Sequence, residues 1–255
     1  MDIRLSTSAR LEQKEQAALQ AIRDFAADGP CYVGVSWGKD STVLAHLLCR
    51  SGLDLPVAHV VTRPIHNPYT DDVRDAFLQR FHIDYHEIIL DRHRATQEEI
   101  EQDSRSRRPG DLLRFGWYGG RKRLAFDLVS DRFGDRYVSG IRGAESGGRR
   151  SRMRGHGIST KRTCAPIGWW SGEDVFAYLA KHRLPVHPSY AMTFGGRRER
   201  NRIRVGNLGH PYGDLFGGSV WEQRYYSEQR DAMEEATDPA VPWIRPRNVL
   251  AMIQD

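Results

Sequence analysis

Between residues 31 and 51 the hydrophobic pattern changes period. Val33 and Val35 alternate with small or aromatic neighbours, as in a short buried strand, while Thr42, Val43, Leu44, Leu47 and Leu48 recur at helical spacing. Between the two lies a glycine-bearing loop, Ser36–Ser41. The same alternation runs on both sides of it. A helix is predicted over Arg10–Ala27, closed by Asp28-Gly29-Pro30. A second strand, Val57–Thr62, follows the turn at Gly52–Pro56, and a helix over Tyr69–Phe81 opens at Asn67-Pro68. Further segments are a strand at Tyr85–Leu90, a polar helix and loop over 92–112, a helix over Gly119–Arg132, and strands at Arg136–Ile141 and Thr163–Ile167. The last helix of this series is capped by Ser171, with Glu173 and Asp174 in its first turn. Strands separated by helices pair in parallel through right-handed crossovers. The expectation is therefore an α/β, Rossmann-like, open doubly wound sheet of five parallel strands. Beyond Pro188 the periodicity is lost, which suggests a domain over 1–190 and an Arg/Gly/aromatic-rich appendage over 191–255 with one helix near Val220–Ala236.

Composition narrows the class. The 255 residues are 39% hydrophobic and 28% charged, and no apolar run reaches the length of a membrane span. Residues 1–20 are charged and helix-patterned without an apolar signal core, so a cytoplasmic location away from membranes is expected. The three cysteines, Cys31, Cys49 and Cys164, form no C-x-x-C pair, which argues against a disulfide framework, a zinc site and an iron–sulfur cluster. His82 with His86, and His182 with His187, lack a second pair of ligands. The net charge of +5 is modest, but the arginines are clustered: Arg105, Arg107 and Arg108; Arg142, Arg149, Arg150, Arg152, Arg154, Lys161 and Arg162; Arg197, Arg198, Arg200, Arg202 and Arg204. Such patches attract polyanions, either the phosphates of a nucleotide or a nucleic-acid backbone. Charge runs are usually solvated faces, and a basic loop beside a nucleotide already has an anion to bind, so nucleic acid is the less favoured partner. Homo-oligomers are compatible with everything above.

The Ser36–Ser41 loop carries the candidate chemistry. At a strand-to-helix junction the first helical N–H groups lack intrahelical partners and lie at the positive end of the macrodipole, where an anion is stabilised. Lys39 adds a mobile charge, Ser36 and Ser41 add hydroxyls, and Gly38 permits close backbone approach. The loop is not G-x-x-x-x-G-K-[ST], because Gly34 to Gly38 is one residue short and Asp40 follows the lysine. Ser36-Trp37-Gly38-Lys39-Asp40-Ser41 instead resembles the S-G-G-x-D-S pyrophosphate loop of the adenine nucleotide alpha-hydrolase group, which includes ATP pyrophosphatases and phosphoadenosine phosphosulfate (PAPS) reductases. Trp37 stands where that loop has its first glycine, and a tryptophan disfavours positive φ.

Two further segments strengthen the resemblance. After the fourth strand comes Gly140-Ile141-Arg142-Gly143-Ala144-Glu145-Ser146-Gly147-Gly148-Arg149, and later Pro166-Ile167-Gly168-Trp169-Trp170 through Tyr178-Leu179, with Leu184-Pro185 and Pro188-Ser189-Tyr190 beyond. Together with the loop, over about residues 30–190, these are similar to the motifs of the PAPS reductase family. The resemblance implies that Ser36, Trp37, Gly38, Lys39, Ser41, Thr62 and Gly140 contact an adenine nucleotide, Thr62 through its backbone near the adenosine. It further implies that Asp40 orients the loop or a Mg²⁺ brought by the nucleotide, and that Arg142 and Arg149 clamp the α-phosphate or the second substrate. Glu145 and Ser146 either orient those arginines or cap a surface helix. A PAPS reductase of this kind carries a nucleophilic cysteine in a C-terminal Glu-Cys-Gly segment, whereas here no cysteine follows Cys164. Cys164 itself sits in a predicted strand, where a packing role is the commoner one. The favoured function is thus ATP pyrophosphate cleavage with adenylylation of an unidentified acceptor, possible steps in sulfur transfer included. The alternatives are a sulfonucleotide (PAPS/APS) reductase or sulfotransferase using an external thiol, and a non-catalytic nucleotide-sensing or nucleic-acid-binding regulator.

Overall fold

A computed structural model describes residues 8–63, 66–91, 121–203, 205–208 and 218–229. The expected segments at 92–112, including Arg105, Arg107 and Arg108, fall outside these residues, as do Arg204 and the end of the predicted 220–236 helix. In chain order the elements are α1 (Ala9–Ala27), β1 (Tyr32–Val35), α2 (Lys39–Ser51), β2 (Val57–Arg63), α3 (Tyr69–Leu78), β3 (Tyr85–Asp91), α4 (Arg121–Phe133), β4 (Tyr137–Ser139), α5 (Gly147–His156), β5 (Thr163–Cys164), α6 (Gly172–Lys181) and α7 (Gly218–Tyr225).

The strands form one five-stranded sheet in the order β3-β2-β1-β4-β5. β1 pairs in parallel with β2 (Val33 opposite Val57) and with β4 (Gly34 opposite Ser139), and β4 pairs in parallel with β5 (Val138 opposite Cys164). The chain winds outward from β1 to β3 and then returns to β1's other side as β4. That reversal makes the carboxyl ends of β1 and β4 the switch point of the sheet, where open α/β folds bind ligands. Helices cover both faces. On one, Tyr32, Ala58, Val60, Ile88 and Tyr137 pack with Val129 and Phe133 of α4. Val33 and Val35 point the opposite way by strand alternation. On that side lies α2, whose Val43, Leu44, Leu47 and Leu48 are 0–2% exposed. Each such side chain contributes about 1.5–3 kcal/mol of burial free energy, which fixes α2 and the loop feeding it.

Local rules account for the helix ends. The Ser8 hydroxyl accepts from Leu11 N at 3.2 Å and starts α1, and Gly52 ends α2 at φ +75°. Ser171 and Asp174 form a reciprocal capping box on α6, at 3.1 and 2.7 Å. Two strands are shorter than expected. β4 ends at Ser139 rather than Ile141, and β5 at Cys164 rather than Ile167. After Cys164 the backbone is spent on turns, with Ala165 N donating to Ile158 O and Gly168 N to Ala165 O. Pro166, with no N–H, cannot extend a ladder there. The described residues fall into two compact units. Residues 8–61, 67–88, 129–203 and 205–206 form the first, which carries the sheet core and the switch point. Thr62, Arg63, His66, 89–91, 121–128, 207–208 and 218–229 belong to the second. In that unit Trp221 and Tyr226 are buried with ring centroids 5.2 Å apart. Among the described residues no helix is long and apolar enough to cross a membrane.

Candidate functional site

The loop after β1 is shaped by Trp37. Its φ is +52°, against the expectation that a tryptophan avoids this region. The left-handed conformation costs about 1–2 kcal/mol in a residue with a Cβ. Its compensation is visible in the packing: the indole is 0% exposed, with ring centroids 5.3 Å from Phe77, 5.8 Å from Tyr85 and 6.5 Å from His59. Trp37 is therefore a core anchor that turns the chain from β1 into α2. Gly38 has an extended backbone, so its need is for space: an added Cβ would lie 3.0 Å from Val205 Cγ2 and 3.3 Å from the Tyr190 hydroxyl. Gly140 behaves likewise, since a Cβ there would meet the Asp40 carbonyl carbon at 3.0 Å. These two glycines let the start of α2 settle between the end of β4 and the segments carrying Tyr190 and Val205.

The Ser41 hydroxyl closes the loop on itself. It donates to Gly38 O at 3.1 Å and accepts from Ser36 N at 3.1 Å, while the exposed Ser36 hydroxyl stands 3.4 Å away. α2 begins with no side-chain cap. Its first N–H, that of Lys39, donates to the Tyr190 hydroxyl at 3.0 Å. Burial pushes the Tyr190 phenol well above its ordinary pKa, with the neighbouring Asp40 charge acting in the same direction, so it is a neutral group at physiological pH.

Three charges meet at this helix start. Asp40 accepts from Lys39 Nζ at 2.7 Å through one carboxylate oxygen and from Arg142 Nε at 2.5 Å through the other. Arg142 also donates from Nη1 to Trp170 O at 3.3 Å, and Lys39 Nζ lies 5.4 Å from the Tyr190 ring centroid. Lys39 and Arg142 are both nearly fully buried. Two cations sharing one carboxylate leave a net positive charge at the positive end of a helix dipole, an arrangement that an incoming anion stabilises. The network continues outward. Glu145 accepts from the Arg142 backbone N–H at 3.2 Å and pairs with Arg149, and the Ser146 hydroxyl caps α5 by accepting from Arg149 N at 3.2 Å. Ser146 is thus a helix cap, and Glu145 joins the Arg149 guanidinium to the Arg142 backbone.

The structure brings Ser36, Trp37, Gly38, Lys39, Asp40, Ser41, Gly140, Arg142 and Arg149 into one connected region of the first unit. Thr62 is half-buried in β2 and belongs to the second unit, so the site is built here without it. Tyr190, Val205 and the Trp170 carbonyl are site components that no motif rule assigned a role. Both carboxylate oxygens of Asp40 are engaged by cations, so a Mg²⁺ ion there would share them with Lys39 and Arg142. Among the described residues no group of three or more His, Cys, Asp or Glu could hold a metal. Every cysteine is disfavoured as a thiolate: burial raises the pKa of Cys31 and Cys49, and that of Cys164 to about 11. Cys164 is 0% exposed, with its Sγ 3.7 Å from Ala21 O.

A strand-to-helix loop at the switch point of a parallel α/β sheet is where proteins of the nucleotide-binding class with this fold take their ligand. Within that class, the chain belongs to the phosphoadenosine phosphosulfate reductase domain family, which it matches over residues 30–196. No curated protein matches it. Among solved structures it is similar to a phosphoadenylyl-sulfate (PAPS) reductase from Candida auris in a phosphate complex, at 14% identity and a TM-score of 0.48, covering 72% of this chain and 92% of that one. It is also similar to an NMN synthetase from Francisella tularensis, at 11% identity and a TM-score of 0.47, covering 86% of this chain and 95% of that one. The third is an NH3-dependent NAD synthetase from Campylobacter jejuni in complex with the nitrate ion, at 15% identity and a TM-score of 0.47, covering 91% and 99%.

Proposed function

We propose that this protein binds ATP with its phosphate tail against Ser36–Ser41 and transfers the adenylyl group to an acceptor, releasing pyrophosphate. The observation that carries this reading is the pair of buried cations, Lys39 and Arg142, held on Asp40 at the start of α2. In the reaction an acceptor oxygen forms a bond to the α-phosphorus. The bond from that phosphorus to the bridging oxygen breaks, its electron pair leaves with pyrophosphate, and the acceptor's proton goes to solvent. Charge accumulates on the non-bridging oxygens and on the leaving group, so fixed cations and N–H donors do most of what is required. Lys39 and the α2 N-terminus serve the leaving pyrophosphate, and Arg142 the α-phosphate. Arg149, tethered through Glu145 to the Arg142 backbone, serves the acceptor side. A Mg²⁺ ion held by the nucleotide's own phosphates would shield their charge.

Family membership supports a second reading, in which the same loop holds a sulfonucleotide and an external thiol performs the reduction. In that reading the thiol must come from outside, because burial disfavours the thiolate in all three of the chain's own cysteines. Product analysis separates the two. Incubated with ATP, with water as a slow substitute acceptor, the protein is expected to form AMP and pyrophosphate in equal amounts. Formation of ADP and phosphate, or release of sulfite from PAPS with added dithiol and no turnover of ATP, would reject the adenylyl-transfer reading.

A further inference from the structure

We infer that the exposed face of α5 docks the phosphodiester backbone of a nucleic acid, making a polynucleotide the acceptor whose class the site leaves open. This rests on the adenylyl-transfer reading for what the docked strand receives, though not for the docking itself. Between residues 142 and 162 the chain has seven Arg and Lys residues and a single acidic one, Glu145. Glu145 is already committed, to Arg149 and to the Arg142 backbone. The remaining charge of α5 stands in solvent: Arg150, Arg152 and Arg154 are exposed, and none has an ion-pair partner among the described residues.

This helix is poorly made for stability alone. It begins Gly147-Gly148 and has Gly155 in its last turn, and each glycine costs about 1 kcal/mol of helix propensity relative to alanine. Arg149 and Arg150 sit in its first turn, where the macrodipole opposes positive charge, with no acidic residue beside them in that turn. Arg150 and Arg154 are a like-charge i,i+4 pair. What holds α5 is the Ser146 cap and one buried side chain, Met153, whose Sδ lies 3.3 Å from a Cβ built on Gly143 and 3.1 Å from one on Gly168. Gly143 and Gly168 let the helix approach the site closely. A helix built against its own propensity, pinned beside the nucleotide cations and presenting unpaired guanidinium groups, is complementary to a repeating polyanion. Guanidinium groups match phosphate oxygens bidentately, and each phosphate they neutralise releases counterions.

Fluorescence anisotropy with labelled single-stranded DNA, duplex DNA and RNA, without nucleotide, tests this. Wild type is expected to bind at least one of them, with affinity falling steeply from about 50 to about 200 mM salt. The Arg150→Gln/Arg152→Gln/Arg154→Gln variant should lower the slope of log affinity against log salt by about 2 to 3, while its ATP affinity by calorimetry stays that of wild type. The single Arg152→Gln variant should lower the slope by about 1, which keeps the test valid if the triple variant does not fold. Absence of binding by wild type to all three probes at low salt, or an unchanged slope in the variants, overturns the inference. So does loss of ATP affinity in a folded triple variant, which would assign these arginines to the nucleotide instead. Competition by polyglutamate as effective per charge as by polynucleotide would point to an acidic protein and also overturn it. Failure of ATP binding with polynucleotide binding intact would sink the adenylyl-transfer reading and leave the docking face standing.

Discussion

At the N-terminal end of α2 a carboxylate that is 17% exposed, Asp40, is shared by two cations that are 4% and 2% exposed. At the C-terminal end of the same helix the arrangement is inverted: Glu15, 2% exposed, is shared by Arg50, Lys181 and His182, which are 20–30% exposed. The second cluster is complete as it stands. Its long cationic side chains bury their stems and keep their charged ends near water, and Arg50 sits where the helix dipole favours positive charge. In the first cluster the cations are inside, the dipole opposes them, and one carboxylate cannot neutralise both. Burial of charge with incomplete compensation is costly unless a ligand supplies the remainder. The comparison teaches that an ion-pair cluster signals binding when the excess charge is the buried one, and stability when the excess charge reaches solvent.

Substitutions at the two clusters should therefore separate stability from binding. The largest stability effect is expected at Glu15. Burial alone would raise its pKa, but hydrogen bonds from His182, Lys181 and Arg50 outweigh it and bring it down to about 2. Glu15→Gln should cost roughly 2–3 kcal/mol in denaturant unfolding and leave ATP affinity in the folded protein unchanged. The wild-type contribution is fully present above the ordinary glutamate pKa near 4.5 and is lost as pH falls toward about 2, so the variant's deficit should shrink over that window.

Next in size is His46, which is buried and hydrogen-bonded at 2.9 Å to the Tyr178 hydroxyl. Burial, followed by the charges of His182, Arg50 and Arg80, lowers its pKa from 6.5 to about 4. Across that interval the unfolded chain takes up a proton that the folded chain refuses, and stability should fall as pH drops from 6.5 toward 4. His46→Gln should flatten this part of the stability–pH curve; an unchanged slope would place the titration elsewhere. The smallest effect is expected at Tyr190. Tyr190→Phe removes the acceptor for the Lys39 backbone N–H and should weaken ATP binding about three- to tenfold, the worth of one hydrogen bond of about 0.5–1.5 kcal/mol, with no change in the pH dependence of stability.

Much of this architecture could be read from periodicity. The expected Val57–Thr62 and Tyr85–Leu90 strands and the Arg10–Ala27 helix differ from the observed elements by a residue at one end. Alternating strands and helices were enough to predict a parallel doubly wound sheet. What escaped depends on distant contacts. The left-handed φ of Trp37 is stabilised by Phe77 and Tyr85, which no local rule brings to residue 37. Tyr190 and Val205 reach Gly38 and Lys39 across more than 150 residues of chain. α5 is not among the helices that periodicity predicted, and it is held by the Ser146 cap and the buried Met153. The shortness of β5 follows from turns that spend its backbone hydrogen bonds on Ile158 and Ala165.

Isothermal titration of ATP into wild type, Lys39→Ala and Lys181→Ala tests the phosphate-loop assignment most directly. Wild type and Lys181→Ala should bind alike, while Lys39→Ala should bind about 100-fold more weakly, a loss near 2.7 kcal/mol. Equal affinity in wild type and Lys39→Ala, or no heat from wild type at all, would contradict the account.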